Sequence, residues 1–182
     1  MRGPTRELLC QPDFQLPASG QKVGATMKSF TAIVFGLWVV TIAVFGYFFV
    51  TGSTQQSTDN RTAVLLSPPE SDLILGEMRT MLAAVSGVLN ALGEGDTKKA
   101  SAAARSAGMA MAVDTTPVLM AKLPLEFKNL GMSVHGDFDL LAADIDNGLT
   151  PQQIVQRLGA TTTKCVACHA AYRLRAEAPA GQ

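Results

Sequence analysis

The sequence is short of cysteine, histidine and aromatic residues, and neither sign of charge is in excess. Fifteen Lys and Arg balance fifteen Asp and Glu, so the formal net charge is zero. No basic patch or aromatic ladder appears, which excludes the usual nucleic-acid-binding surfaces. Three cysteines cannot build a disulfide framework. The length of 182 residues suits one modest domain plus extras. One local absence is the most informative: Phe30 to Val50 contains no charged residue at all.

That stretch, FTAIVFGLWVVTIAVFGYFFV, is 21 residues long. At about 1.5 Å per residue a helix of this length spans roughly 30 Å, the thickness of a bilayer's hydrocarbon core. It exceeds the apolar core of a cleaved signal peptide, and Thr51-Gly52-Ser53 is a poor cleavage site. An uncleaved transmembrane anchor over residues 28–50 is expected. Arg2, Arg6, Lys22 and Lys28 precede it, and only Arg61 lies close behind. The positive-inside rule then puts the N-terminus in the cytoplasm and everything after Val50 outside. Residues 1–27 show no periodicity and read as a disordered cytoplasmic segment. Leu8-Leu9-Cys10 has no apolar run before it and does not read as a lipidation site. Met27-Lys28, at the edge of the apolar run, reads as an alternative start of translation. Residues 51–69, rich in Ser, Thr and Gln, read as a flexible tether, with Val64-Leu65-Leu66 as a docking element.

Four helical segments follow. The first spans about 70–92, with Ile74, Met78, Met81, Leu82, Val85, Val88, Leu89 and Leu92 at helical spacing, Ser67 or Ser71 as cap and Gly93 as stop. The second, about 96–113, is alanine-rich and broken by Thr115-Thr116-Pro117. The third, about 124–147, carries the stripe Leu123, Phe127, Leu130, Val134, Phe138, Leu141 and Ile145, with Gly148 as C-cap. Thr150-Pro151 opens the fourth as cap and first residue. Ile154, Leu158, Cys165, Cys168, His169 and Tyr172 share its inner face. Short loops and amphipathic helices predict an all-α domain over 70–176, an antiparallel four-helix bundle, with a short tail at 177–182.

Cys165-Val166-Ala167-Cys168-His169 is C-x-x-C-H, the attachment signature of c-type haem. The two-residue gap lets both thiols reach the two haem vinyl groups from one helical turn, and the adjacent imidazole can bind the iron. A zinc site would need two more ligands, and only Cys10 and His135 are on offer. A thioredoxin-like pair would need a βαβ context, and no strand pattern surrounds this one.

The C-terminal C-x-x-C-H-x-x-Tyr-Arg at the end of a four-helix pattern resembles the cytochrome c′ family. The resemblance covers roughly residues 70–175 and is specific at Cys165, Cys168, His169, Tyr172 and Arg173, with Pro124 and Phe127 also similar. It implies one covalent haem c, His169 as axial iron ligand, Arg173 near the proximal face, and a distal face covered by the first helix. Met78 and Leu82 are the expected distal cofactor-binding residues, with Met78 the leading candidate for a sixth iron ligand and Met81 its neighbour. An apolar distal residue would instead leave iron five-coordinate and open to NO or CO. Many of the family dimerise, so a homodimer is an open expectation.

The function expected is electron transfer by a membrane-anchored haem protein, with its haem domain in the periplasm at the cytoplasmic membrane. Its partners would be other cytochromes or a membrane redox complex. Gly36, Ala43 and Gly46 offer a small-residue face for packing against other helices. The alternative is a gas-binding haem protein. No acid–base constellation lies beside the motif, so no enzyme is expected. His135 reads as a boundary histidine, with propionate or iron binding as its functional options. Asp137, Asp139, Asp144 and Asp146 read as a solvated face that could dock a basic partner.

Overall fold

The computed structural model describes residues 23–177. The expectations for residues 1–22, including Cys10, and for 178–182 lie outside the described residues. The first helix, α1, spans Val23–Thr51, so it begins four residues before Met27. Phe30–Thr51 within it is 22 residues with a mean hydropathy of 2.4, long and apolar enough to cross a membrane. Its side chains are exposed from Phe30 to Val50. Thr41 and Thr51 return their hydroxyls to the Leu37 and Tyr47 carbonyls, so neither is left unbonded in an apolar surrounding.

The chain divides within α1, and the residues from Val44 onward form one unit. It is mostly helical: α2 Pro68–Gly93, α3 Thr97–Arg105, α4 Pro117–Lys122, α5 Leu125–Asp146 and α6 Pro151–Ala171. Local sequence sets the starts. Ser67 and Glu70 form a capping box ahead of Pro68-Pro69, and Thr150 and Gln153 form another ahead of Pro151. Gly148, at φ +92°, turns the chain out of α5 as expected of a C-terminal glycine. α3 packs on both α2 and α5, and α5 packs on α6.

Three expectations are corrected. The segment 51–69 is not a free tether. Strands β1 (Thr54–Gln56) and β2 (Thr62–Leu66) pair as an antiparallel hairpin, and Ala63, Val64 and Leu66 are fully buried. The turn closes with Asn60 at φ +64°, a left-handed conformation that Asn tolerates. The domain is not purely helical either. The fourth helix stops at Ala171, and Tyr172–Ala176 forms a strand, β3, parallel to β2. The second expected helix is two pieces, α3 and a 3-10 turn at Met109–Asp114. The break falls where the Met109 N–H donates to the Asp139 carboxylate of α5, at 2.9 Å. A Cβ at Gly108 would meet that carboxylate, which would have to swing aside.

Two apolar clusters result. One joins α2, α3, α5 and α6 through Val88, Ala104, Phe138, Leu141, Ile154 and Leu158. The other joins β2, α2, α4 and α5 through Val64, Leu66, Ile74, Leu119, Leu123 and Phe127. On α2 the stripe runs Ile74, Met78, Met81, Val85, Val88 and Leu92, with Ala84 and Ala91 beside it. Leu82 and Leu89 fall outside it and are exposed. The seven-residue spacing of Ile74, Met81 and Val88 keeps one face inward, and Leu82 lies one position beyond it.

Candidate haem-attachment site

The C-x-x-C-H motif occupies the last turns of α6, at the seam between the two clusters. Cys165 packs against the first cluster and Cys168 against the second. Opposite them on α2, Met81 touches the first cluster and Met78 the second. The seam is a cleft, partly open to solvent. Cys165, Cys168, His169, Met78, Met81 and Phe127 all line it. Its walls are mainly apolar, as those of organic-cofactor sites are.

Both thiols are free and half-buried, while His169 is exposed. Burial raises the proton affinity of both, and for Cys168 the neighbouring Cys165 adds to the effect. They are therefore held as thiols, the form that carries the hydrogen for addition to a vinyl group. Cys165 also points its Sγ to the Thr161 carbonyl at 3.8 Å. Among the described residues no three His, Cys, Asp or Glu side chains gather as a metal ion would require. The residues fit an apolar group fixed at one edge by two sulfurs and ligated from one face by an imidazole.

The expected site residues separate on inspection. Cys165, Cys168, His169 and Met78 come together. Tyr172 caps α6 and sets its ring edge-on to Phe127, at 5.4 Å between centroids. Arg173 lines a second cleft, on which Cys168, His169, Met78 and Tyr172 also border. Leu82 does not join: it is 69% exposed and lines neither cleft. His135 is 3% exposed rather than a boundary residue. Its Nδ1–H donates to the Ala107 carbonyl at 2.8 Å, which fixes its ring at the cleft wall.

The four aspartates of α5 each have a partner within the chain. Asp137 pairs with Lys164 at 2.7 Å, Asp144 with Arg157 at 2.6 Å and Asp146 with Arg105 at 2.5 Å. Asp139 holds the Met109 amide.

Arg61 and Asp59 were not expected at the site. Arg61 borders the second cleft and donates to the His169 carbonyl. The available signal was the Asp59-Asn60 dipeptide, a turn marker between two short β-compatible runs. Lys128, also unexpected, lines the first cleft while buried to 6% exposure.

No protein-family model, curated protein or solved structure matches the chain. What the fold defines is a mostly helical chain with a small sheet and one helix fit to cross a membrane.

Proposed function

We propose that this protein is a membrane-anchored c-type cytochrome of the cytochrome c′ type, which transfers electrons at the outer face of the cytoplasmic membrane. The observation that carries the reading is the meeting of Cys165, Cys168 and His169 with Met78 in one apolar cleft. In this reading α2, α3, α5 and α6 act as an antiparallel four-helix bundle, and α1 anchors it with the haem domain in the periplasm. Cys165 and Cys168 would hold the haem covalently, each free thiol adding its S–H across one vinyl double bond so that a C–S and a C–H bond form, the double bond becomes single and no external oxidant or reductant is needed. His169 would bind the iron of a haem held there, and Met78 of α2, lining the same cleft, would offer it a thioether, a soft donor that raises the reduction potential. A bound haem supplies a one-electron Fe(III)/Fe(II) couple. The apolar side chains of Phe127, Met81 and Leu123 would lie against it. The redox partner is another cytochrome or a membrane redox complex.

The test is absorption spectroscopy of the full chain, expressed with haem-maturation machinery in a periplasm and purified in detergent. Covalent haem with sharp low-spin bands indifferent to CO supports electron transfer. Broad high-spin bands that move with CO would assign gas binding instead. The absence of covalent haem would sink the reading.

A further inference from the structure

Arg61 is separated from His169 by 108 residues of sequence, yet its Nη1 donates to the His169 carbonyl at 3.3 Å. That carbonyl belongs to the last turn of α6, where backbone acceptors have no helical partner. Arg61 is itself fixed in direction. Its Nε and Nη2 both donate to Asp59 Oδ2, at 2.9 and 2.7 Å, and its backbone N–H donates to Asp59 Oδ1 at 3.2 Å. Asp59 Oδ2 also takes Arg173 Nη1 at 3.3 Å. The hairpin that presents the pair cannot drift, because β2 is in register with β3, Thr62 opposite Tyr172 and Ala63 opposite Arg173. The Arg61 and Arg173 guanidiniums therefore border the cleft beside His169, both bound to the one Asp59 carboxylate.

We propose that Arg61 and Asp59, on the β1–β2 hairpin, are positioning residues for the proximal ligand His169 and set the charge beside the iron. The inference rests on the haem reading above. Through the carbonyl, Arg61 holds the backbone from which the imidazole reaches the metal. Through its charge, it favours the ferrous state, which carries one positive charge fewer than the ferric. Asp59 opposes that charge while aiming it. The side chains of the pair are about a third exposed, at 35% and 37%, so the effect is partly screened and grows as salt is lowered.

The experiment is redox titration, with electron paramagnetic resonance of the oxidised protein, on the full haem-loaded chain and four variants. Arg61→Ala and Arg61→Gln remove the positive charge and are expected to lower the potential. Asp59→Asn removes the negative charge and is expected to raise it. Arg61→Lys keeps the charge but lacks the fork that spans Asp59 and the carbonyl. It is expected to hold the potential near the original while moving the resonance signals. General loosening of the fold would not shift the two charge changes in opposite directions. Unmoved potentials and signals in Arg61→Gln and Asp59→Asn, or shifts of the same sign, would overturn the inference while leaving haem attachment intact. An unaltered protein without haem bands would overturn the haem reading instead.

Discussion

Lys128 of α5 donates to the Phe49 carbonyl at 3.0 Å, and its ammonium lies 3.7 Å from the centre of the Phe49 ring. Phe49 sits in the last turn of α1, whose carbonyls lack partners of their own. The same ammonium reaches the Met120 carbonyl at 3.2 Å. Ser53 adds a backbone bond to the Lys122 carbonyl at 2.7 Å, and Gly52, at φ +62°, is pressed too close to Leu123 and Pro124 to carry a side chain. The end of the apolar helix is thus clamped to the domain. Burial without an acidic partner lowers the proton affinity of Lys128, which marks the clamp as one made against a desolvation cost.

Lys128→Ala is therefore expected to destabilise the domain by about 1–3 kcal/mol, the cost of leaving the part-buried Phe49 and Met120 carbonyls unbonded. It should also expose residues 51–57 to protease in the full chain in detergent. A cleavage pattern identical to that of the original protein would mean that the clamp does not hold the segment.

Cys165→Ala and Cys168→Ala are each expected to leave haem attached through a single thioether. Pyridine haemochrome spectra would show this as a red-shifted band, since one vinyl group stays unsaturated. The double variant should carry no covalent haem by mass spectrometry. Full attachment in the double variant would rule out the sulfurs as the link.

Three substitutions on α2 separate ligand from packing. Met78→Ala is expected to convert a low-spin spectrum to a high-spin, CO-sensitive one. Met81→Ala should cost about 2–3 kcal/mol as a half-buried core truncation, with coordination kept. Leu82→Ala should change neither spectrum nor stability by more than about 0.5 kcal/mol, because the side chain is exposed. A low-spin spectrum retained in Met78→Ala would remove it as the ligand.

Glu70 links the start of α2 to α4. It accepts from Lys122 at 2.8 Å and from Ser67 at 2.7 Å. The Lys122 hydrogen bond, above all, holds the Glu70 carboxyl down to about 2 against an ordinary 4.5. A carboxylate depressed in the folded state stabilises it above the unfolded value and loses that contribution as pH falls. The loss is expected between about pH 4.5 and 2, on the order of 2 kcal/mol. Thermal melts across that window should steepen with acid in the original protein and flatten in Glu70→Gln. Equal slopes in both would show that the carboxylate does not carry the effect.

Much of the fold was legible in the sequence, because helices and apolar spans obey local rules. The uncharged run from Phe30 to Val50, the stripes on α2 and α5, and the caps at Ser67, Thr150 and Gly148 each report on neighbours within four residues. The C-x-x-C-H spacing is equally local, since one helical turn decides which side chains can act together. The sequence by itself therefore determined the long apolar helix, the main helices and the C-x-x-C-H spacing. Tertiary structure alone decided the rest. Residues 62–66 became a strand because β3, more than a hundred positions away, supplies the hydrogen-bond partners that the polar composition of the segment did not announce. Gly108 breaks a helix because Asp139 of another helix takes the next amide. His135 is buried, and Arg61 reaches His169, for the same reason: a hydrogen bond between distant segments leaves no period in the chain, and only the packed fold brings its two ends together.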